Sequence, residues 1–339
     1  MHAFRPNPVF PPSFFPVPSA KKKGGASTER NMLQRMQALA GVPITSGSPG
    51  AVTLTRFYVQ PPSAAQACAD DGGGTPAAAP PTTRPPSAPL DLEATSGVQY
   101  PDVSQGAINM CTSMACAHAF ALRAALQAGQ AGQPPPLTPM FAYYFQRVQE
   151  CTTAGVCKCP SSRACDPPCL DCGSLLSSAF VVFASGVPPL DAWPIVPSLL
   201  NTRPSDSALA AAPRQQITGW KCLPAGDRAA LGSALAAQWP VVVFWNVSAN
   251  VVQWLGAQQK VAGLYTDLGP ATTAPPFQAS STPVLGHAVL VVGIAPSGDY
   301  IVRNSFGAAW GARGRFLLPA DQYNSTVIHG AVAVTGVQW

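Results

Sequence analysis

The chain has 339 residues and a formal net charge of +5, with 10% of its residues charged and 47% hydrophobic. Such an apolar composition excludes a chain that is disordered throughout. The Lys and Arg residues are scattered apart from Lys21, Lys22 and Lys23, so no basic stripe indicates a nucleic-acid partner. No apolar run approaches the roughly eighteen residues of a membrane-spanning helix, and we expect no membrane span.

Residues 1–87 form a Pro-rich N-terminal segment. Sixteen of the 38 prolines fall within residues 1–89. Two stretches of this segment have a structural pattern: residues 27–40 have helical spacing and residues 52–60 resemble a short strand. Prolines interrupt its apolar start and its positive charges follow the apolar part, so we expect no classical signal peptide.

From residue 88 onward the composition is that of a folded domain. Three helical patterns come first, at residues 111–130, 139–148 and 174–184. Three β-branched and aromatic runs follow, at residues 241–247, 288–294 and 300–303. Helices first and strands later predict an α+β domain with two lobes over residues 88–339.

Cys111 stands where the first long helix of this domain begins, six residues after Gln105. The positive end of the helix dipole favours a thiolate, and a neighbouring imidazolium would lower the thiol pKa further. We therefore expect Cys111 to act as a nucleophile in covalent acyl transfer.

His287 and Asn304 lie at the two ends of a predicted hairpin. His287 comes just before one strand, Asn304 follows the next, and Ser297 and Gly298 form the turn between them. An amide oxygen that accepts one ring N–H would fix the histidine tautomer and aim its other nitrogen at a thiol.

These motifs together resemble the papain-like cysteine peptidases. The residues around Cys111 are most similar to those of the cathepsin-like branch found in bacteria, archaea and large DNA viruses. The resemblance covers about residues 88–339. Its blocks occur in family order: Pro89-Leu90-Asp91-Leu92, Gln105-Gly106 with Cys111, Asp171-Cys172-Gly173-Ser174, His287-Ala288-Val289, and Asn304-Ser305-Phe306-Gly307 with Trp310-Gly311 and Gly314.

The resemblance implies a papain-like two-lobed fold and hydrolysis of protein or peptide substrates without a metal or organic cofactor. Cys111 would be the nucleophile, His287 the general base and acid, and Asn304 the residue that orients the imidazole. The side-chain amide of Gln105 and the backbone N–H of Cys111 would form the oxyanion hole.

The resemblance also assigns a substrate-binding set. Ser174, beside Gly173, would bind the substrate backbone. Leu175, Leu285 and Ala288 would line an apolar pocket for the residue second from the scissile bond. Trp310 would form the wall on the leaving-group side.

Several residues differ from the family pattern. Asn109 and Met110 replace smaller residues before the nucleophile, Phe306 replaces a tryptophan, and Ile108 replaces a structural cysteine. Two alternatives therefore stay open besides a peptidase. One is an inactive structural or binding protein on the same scaffold, for example a virion component, and the other is an enzyme that transfers the acyl group to an amine.

The remaining cysteines divide into a rival nucleophile and a cluster. Cys116 and the nearby His118 lie inside the predicted helix, where a packed role is expected. Six cysteines lie between residues 151 and 172, and their spacing favours disulfides over a zinc site. The cluster indicates an oxidising compartment or a virion, whereas the missing signal peptide indicates a cytoplasmic origin, so the localisation stays open.

The N-terminal segment has the length of a propeptide. We expect residues 1–87 to cover the cleft in a latent precursor and to be released by cutting between Pro61 and Ala88, in an exposed Gly- and Pro-rich stretch. Cys68 offers the further possibility of a disulfide between this segment and the catalytic domain.

Overall fold

The computed structural model describes residues 89–129, 134–154, 171–260, 267–278 and 285–339. The helix predicted at residues 27–40, the strand predicted at residues 52–60 and most of the cysteine cluster lie outside these ranges. No helix within them is long and apolar enough to cross a lipid bilayer.

The described part of the chain contains helices early and strands late. Its helices are α1 (Leu92–Ser96), α2 (Cys111–Ala128), α3 (Pro139–Ala154), α4 (Leu176–Ser185), α5 (Asp206–Ala211), α6 (Arg228–Ala236) and α7 (Ala249–Lys260). Its strands are β1 (Leu90–Asp91), β2 (Gln216–Leu223), β3 (Val241–Val247), β4 (Leu285–Ile294), β5 (Tyr300–Arg303), β6 (Arg315–Leu318) and β7 (Ile328–Gln338).

Helix α2 lies between the other helices and the sheet. It packs against α3 and α4 on one side and against β4 and β7 on the other. Every residue from 112 to 120 is buried, which is the pattern of a helix surrounded by protein. Its later turns bind β7 directly, because Arg123 Nε donates to the Thr335 carbonyl at 2.9 Å and Gln127 exchanges hydrogen bonds with Val337.

The strands form one antiparallel sheet in the order β2-β7-β3-β4-β5-β6. The pairing of β3 with β4 places Trp245 opposite His287 and ends at Val291. Beyond that point β1 takes the place beside β4, with Leu90 opposite Ile294. Gly293 allows this approach, since a Cβ there would lie 2.1 Å from the Leu90 carbonyl oxygen.

The structure confirms the predicted α+β class and the main elements of the pattern. The strands at residues 241–247 and 300–303 have the predicted bounds, and β4 and β5 form the predicted hairpin. The third predicted helix, which is α4, begins at Leu176 rather than at Ser174, because residues 173–175 run along the rim of a cleft. Helices α5 to α7 and strands β2, β6 and β7 were not predicted.

Glu150 of α3 is a carboxyl group buried beneath the start of α4. Its Oε1 accepts a hydrogen bond from Leu175 N at 2.7 Å and another from the Ser178 hydroxyl. Its Oε2 has no partner among the described residues. Burial raises the pKa of Glu150 to about 7, although these two hydrogen bonds lower it.

We predict that Glu150→Gln removes a pH dependence of stability. A folded-state pKa above the unfolded value of 4.5 means that folding binds a proton, so the contribution is complete at low pH and is lost as the pH rises towards 7. The variant should gain up to about 3 kcal/mol over the parent between pH 5 and pH 8, at about 1.4 kcal/mol per pKa unit.

Thermal and denaturant unfolding at both pH values measure this gain. Ser178→Ala is the matched control, because it removes a hydrogen bond but keeps the titrating carboxyl and should retain the pH dependence. An equal difference between Glu150→Gln and the parent at pH 5 and pH 8 would contradict the prediction.

Candidate active site

Cys111 is the first residue of α2 and is partly buried at the mouth of a cleft. Burial raises the pKa of its thiol, while hydrogen bonds from backbone groups, that of Ala288 first among them, lower it. The direction is opposite to the low pKa expected from the helix terminus, and burial of the thiol is its largest cause. The contact with Ala288 places the sulfur beside the residue that follows His287.

His287 and Asn304 meet at the end of the hairpin. His287 Nε2 lies 2.8 Å from Asn304 Oδ1, and both side chains are buried. Oδ1 also accepts the backbone N–H of Ser305 at 2.8 Å. A backbone N–H only donates, so this atom is the amide oxygen and His287 Nε2 carries the proton. The Nδ1 of a neutral ring then carries the free lone pair.

The imidazole of His287 is shielded from water on one face. Phe306 stacks on it with ring centroids 5.4 Å apart and an interplanar angle of 21°. Phe306 thus covers the ring where the family pattern has a tryptophan. Burial lowers the pKa of His287, and the hydrogen bond with Asn304 raises it in part. With the raised thiol pKa, this favours an uncharged Cys111 and an uncharged His287 at neutral pH.

Gln105 joins the segment before Cys111 to the segment after Asn304. Its Nε2 donates to the Ile108 carbonyl at 2.8 Å, its Oε1 accepts from the Ser305 hydroxyl, and its backbone N donates to the Ser305 carbonyl at 2.9 Å. An amide NH₂ has two hydrogens, so one remains for a ligand beyond the Ile108 bond.

A cavity of about 630 Å³ opens over these residues. Gln105, Cys111 and His287 line it, together with the rim residues Gly173, Ser174 and Leu175. The lining also includes residues that sequence reasoning missed: Phe244, Val252, Leu255, Gly256 and Gly286. Val252, Leu255 and Gly256 share the i, i+3, i+4 spacing of one helix face, which is the signal that could have found them.

Asn109 fixes one rim of this cavity to the other. Its backbone N donates to Asp171 Oδ1 at 3.0 Å, and its Nδ2 donates to the Asp171 carbonyl at 3.0 Å. The Tyr143 hydroxyl donates to the same carboxylate at 2.6 Å and accepts from Gly173 N at 3.0 Å. Gly173 has φ +77°, a conformation that glycine adopts without strain.

Two of the predicted substrate-binding residues are not among the described residues that line the cavity, and the side chain of a third is not described. Trp310 is buried behind Phe306, with ring centroids 5.7 Å apart, and is not among the described residues that line the cavity. Ala288 is fully buried and approaches Cys111 through its backbone. Leu285 begins β4, and its side chain lies outside the described part. The assigned roles of these residues stay predictions.

The rival groups on α2 are packed in the protein interior. Cys116 is a free, fully buried cysteine, and burial raises its pKa far above the usual thiol value. Burial and the charge of Arg303 lower the pKa of His118 to about 3, and its ring packs against Tyr100. No group of three potential metal ligands occurs in the ranges that the structure describes. Most residues of the cysteine cluster lie outside those ranges, so the choice between disulfides and a zinc site stays a prediction.

Comparison with known proteins gives structural matches only. No family model matches the chain, and no curated protein matches it. Xylellain, a cysteine protease from Xylella fastidiosa, matches with 23% identity and a TM-score of 0.56, over 77% of this chain and 90% of xylellain. Digestive procathepsin L 3 from the larval midgut of Tenebrio molitor matches with 20% identity and a TM-score of 0.53, over 77% of this chain and 74% of its own. The chain therefore has the two-lobed α+β fold of the papain-like cysteine proteases.

Proposed function

We propose that the protein is a cysteine endopeptidase that uses Cys111, His287 and Asn304 as its catalytic triad. The observation that carries the proposal is the buried hydrogen bond between His287 Nε2 and Asn304 Oδ1, at a cleft whose lining includes the Cys111 thiol. The papain-like fold supports the same function.

With both groups uncharged, the form that burial favours, the proton transfers run in the following order. His287 Nδ1 takes the proton of Cys111 as the sulfur attacks the substrate carbonyl carbon. The resulting oxyanion accepts hydrogen bonds from Gln105 Nε2 and the Cys111 backbone N–H, and losing one such donor typically costs about 10² to 10³ in turnover. His287 then gives its proton to the leaving amine, and water hydrolyses the thioester.

The lining of the cleft favours an apolar residue two places before the scissile bond. Leu175, Val252 and Leu255 are apolar, and His287 is the titratable base among the described lining residues. Leu285 and Ala288 were assigned to the same pocket from the sequence, but Ala288 is fully buried and approaches Cys111 through its backbone, so this proposal rests on the three lining residues alone. Gly173 and Ser174 bind the substrate backbone at the rim.

We predict that Cys111→Ala and Cys111→Ser abolish peptide hydrolysis. Cys116→Ala should keep the hydrolytic rate and lose about 1 kcal/mol of stability, because Cys116 contributes buried packing alone. Fluorogenic peptide assays and labelling by a thiol-reactive epoxide measure the two effects. Parent-like activity of the Cys111 variants would rule out the assignment.

Labelling and product analysis together separate the alternatives. An unlabelled Cys111 in a folded chain that begins at Ala88 would favour the inactive structural or binding protein. Acyl products that unlabelled enzyme forms on an added amine rather than on water would favour acyl transfer.

We predict that Asn304→Ala retains measurable activity and that His287→Ala does not. Asn304 orients the ring without exchanging a proton, whereas His287 both accepts and donates the proton that is transferred. Steady-state kinetics on one peptide at several pH values measures the difference. Indistinguishable rates of the two variants would contradict the roles proposed for them.

We also propose that residues 1–87 act as an intramolecular inhibitor. Leu90 pairs with Ile294, seven residues along β4 from His287. At about 3.3 Å per strand residue, the start of the described chain is roughly 23 Å from His287. A segment of 87 residues is long enough to cover that distance and to lie along the cleft.

The prediction is that full-length protein hydrolyses a small peptide more slowly than a shortened chain that begins at Ala88. Both are assayed with and without reductant, because a disulfide through Cys68 would make release depend on reduction. Equal rates under all four conditions would show that the segment is not inhibitory.

A further inference from the structure

We infer that Glu93 is a positioning residue for the catalytic triad, acting through Arg303, and this inference rests on the proposed peptidase function. Glu93 lies on α1, five residues after Ala88. Arg303 is the last residue of β5 and directly precedes Asn304. The ion pair between them connects the beginning of the catalytic domain to the residue that orients His287.

The ion pair is bidentate and largely buried. Arg303 Nε donates to Glu93 Oε1 at 2.8 Å, and Nη2 donates to Oε2 at 2.6 Å. The side chains of Arg303 and Glu93 are 13% and 7% exposed. Two parallel charge-assisted hydrogen bonds of this kind fix the orientation as well as the distance of the partners.

Arg303 is also held by the turn that follows Trp310. Its Nη1 donates to the Arg313 carbonyl at 2.7 Å, and its guanidinium lies over the Tyr100 ring at 4.7 Å. Asn304 N donates to the Gly314 carbonyl, the next one along that turn, at 2.8 Å. The side chain of Arg303 and the backbone of Asn304 therefore fix the same turn at adjacent residues.

The side chain of Asn304 depends on this backbone support. Its Oδ1 accepts from His287 and from Ser305 N, but its Nδ2 has no hydrogen-bond partner among the described residues. The amide is thus held through one of its two polar atoms. A shift of the Asn304 backbone would move Oδ1 relative to His287 Nε2 with no second contact to resist it.

The N-terminal strand delivers Glu93 to this position. β1 pairs with the end of β4, and Asp91 caps α1 by accepting hydrogen bonds from Glu93 N and Ala94 N. Asp91 also binds Arg315 at 2.9 Å, so a second ion pair anchors the same stretch to β6. Arg315 Nη1 also lies 3.9 Å from Glu93 Oε2, and Arg315 is the cross-strand partner of Arg303, so it belongs to the same charge cluster and a control must come from elsewhere.

The test is the pH profile of Cys111 alkylation by iodoacetamide in the full-length chain, followed by mass spectrometry of the peptide that carries Cys111. The hydrogen bond with Asn304 raises the pKa of His287, so its loss weakens the base that accepts the thiol proton. Asn304→Ala should therefore move the profile to higher pH. Glu93→Gln should move it in the same direction, with alkylation near pH 6 slowed about fivefold, as for one lost hydrogen bond.

Two further variants separate positioning from stability. Glu93→Gln leaves a buried cation unpaired and should lower the melting temperature. The double variant Glu93→Gln with Arg303→Gln should have a higher melting temperature than Glu93→Gln but keep the shifted pH profile of alkylation. If the single variant does not fold, the double variant is used in its place. Arg123→Gln is the control, because it removes hydrogen bonds to the Thr335 and Gln238 carbonyls and involves neither Glu93 nor Arg303; it should lower the melting temperature and leave the profile unchanged.

An unshifted profile in the Glu93 variants, or a parent-like profile in the double variant, would overturn the inference. Alkylation needs no peptide substrate, so it is independent of the proposed activity. If the parent hydrolyses no peptide but the profile shifts as described, the proposed function fails and the positioning role stands. If the parent hydrolyses peptides and only Asn304→Ala shifts the profile, the positioning role fails alone.

Discussion

The burial of α2 on all sides is the constraint on which the other parts of the site depend. The helix lies between α3 and α4 on one side and the sheet on the other, and its residues 112–120 are all buried. A helix enclosed in this way is held against rotation, because its side chains are close-packed against neighbours on both sides and a turn about its axis would create overlaps and voids. Its first residue, Cys111, is consequently fixed at the junction of the two layers, where the cleft opens.

The sheet positions the other half of the site, His287 and Asn304, through the register in which its strands pair. The pairing of β3, β4 and β5 fixes both ends of the hairpin, and a slip of one residue would turn His287 to the opposite face. Gln105 and its bonds with Ser305 then join the two halves, because one partner precedes α2 and the other follows β5. The position of Cys111 relative to His287 thus follows from helix packing, strand register and this cross-link together.

Desolvation gives the site its electrostatic character. Burial raises the pKa of Cys111 and lowers the pKa of His287, so each shift favours the neutral form of its group. The Phe306 ring covers one face of the His287 imidazole, and apolar residues of α7 line the same cavity. Charge is instead concentrated beside Asn304, where Glu93 neutralises Arg303. The structure therefore separates the cleft, where the neutral forms are favoured, from the ion pair next to Asn304.

Local patterns in the sequence predicted part of the elements and the groups that are proposed to react. The β-branched run of residues 241–247 and the spacing of Gln105, Cys111, His287 and Asn304 are visible in the linear chain, because each depends on neighbouring residues or on family order. Strand β2 was missed since its burial pattern does not alternate, whereas Val332, Val334 and Thr335 of β7 are a strand signal that was present in the sequence and was not recognised. The burial of Trp310 away from the cleft follows from its packing with Phe306, Trp254 and Phe316, which are distant in sequence.

The tertiary structure alone decided the quantities that depend on distant partners. The sequence predicted a reactive thiol from its helix terminus, but the depth of burial that raises its pKa depends on how β4 covers α2. The lining by Phe244 and α7 and the bond between Asn109 and Asp171 depend in the same way on chain segments that meet only after folding. The ion pair of Glu93 with Arg303 joins residues 210 positions apart. Sequence by itself determined which groups can react, and folding decided how much water, charge and support surrounds each one, because those are properties of three-dimensional neighbours.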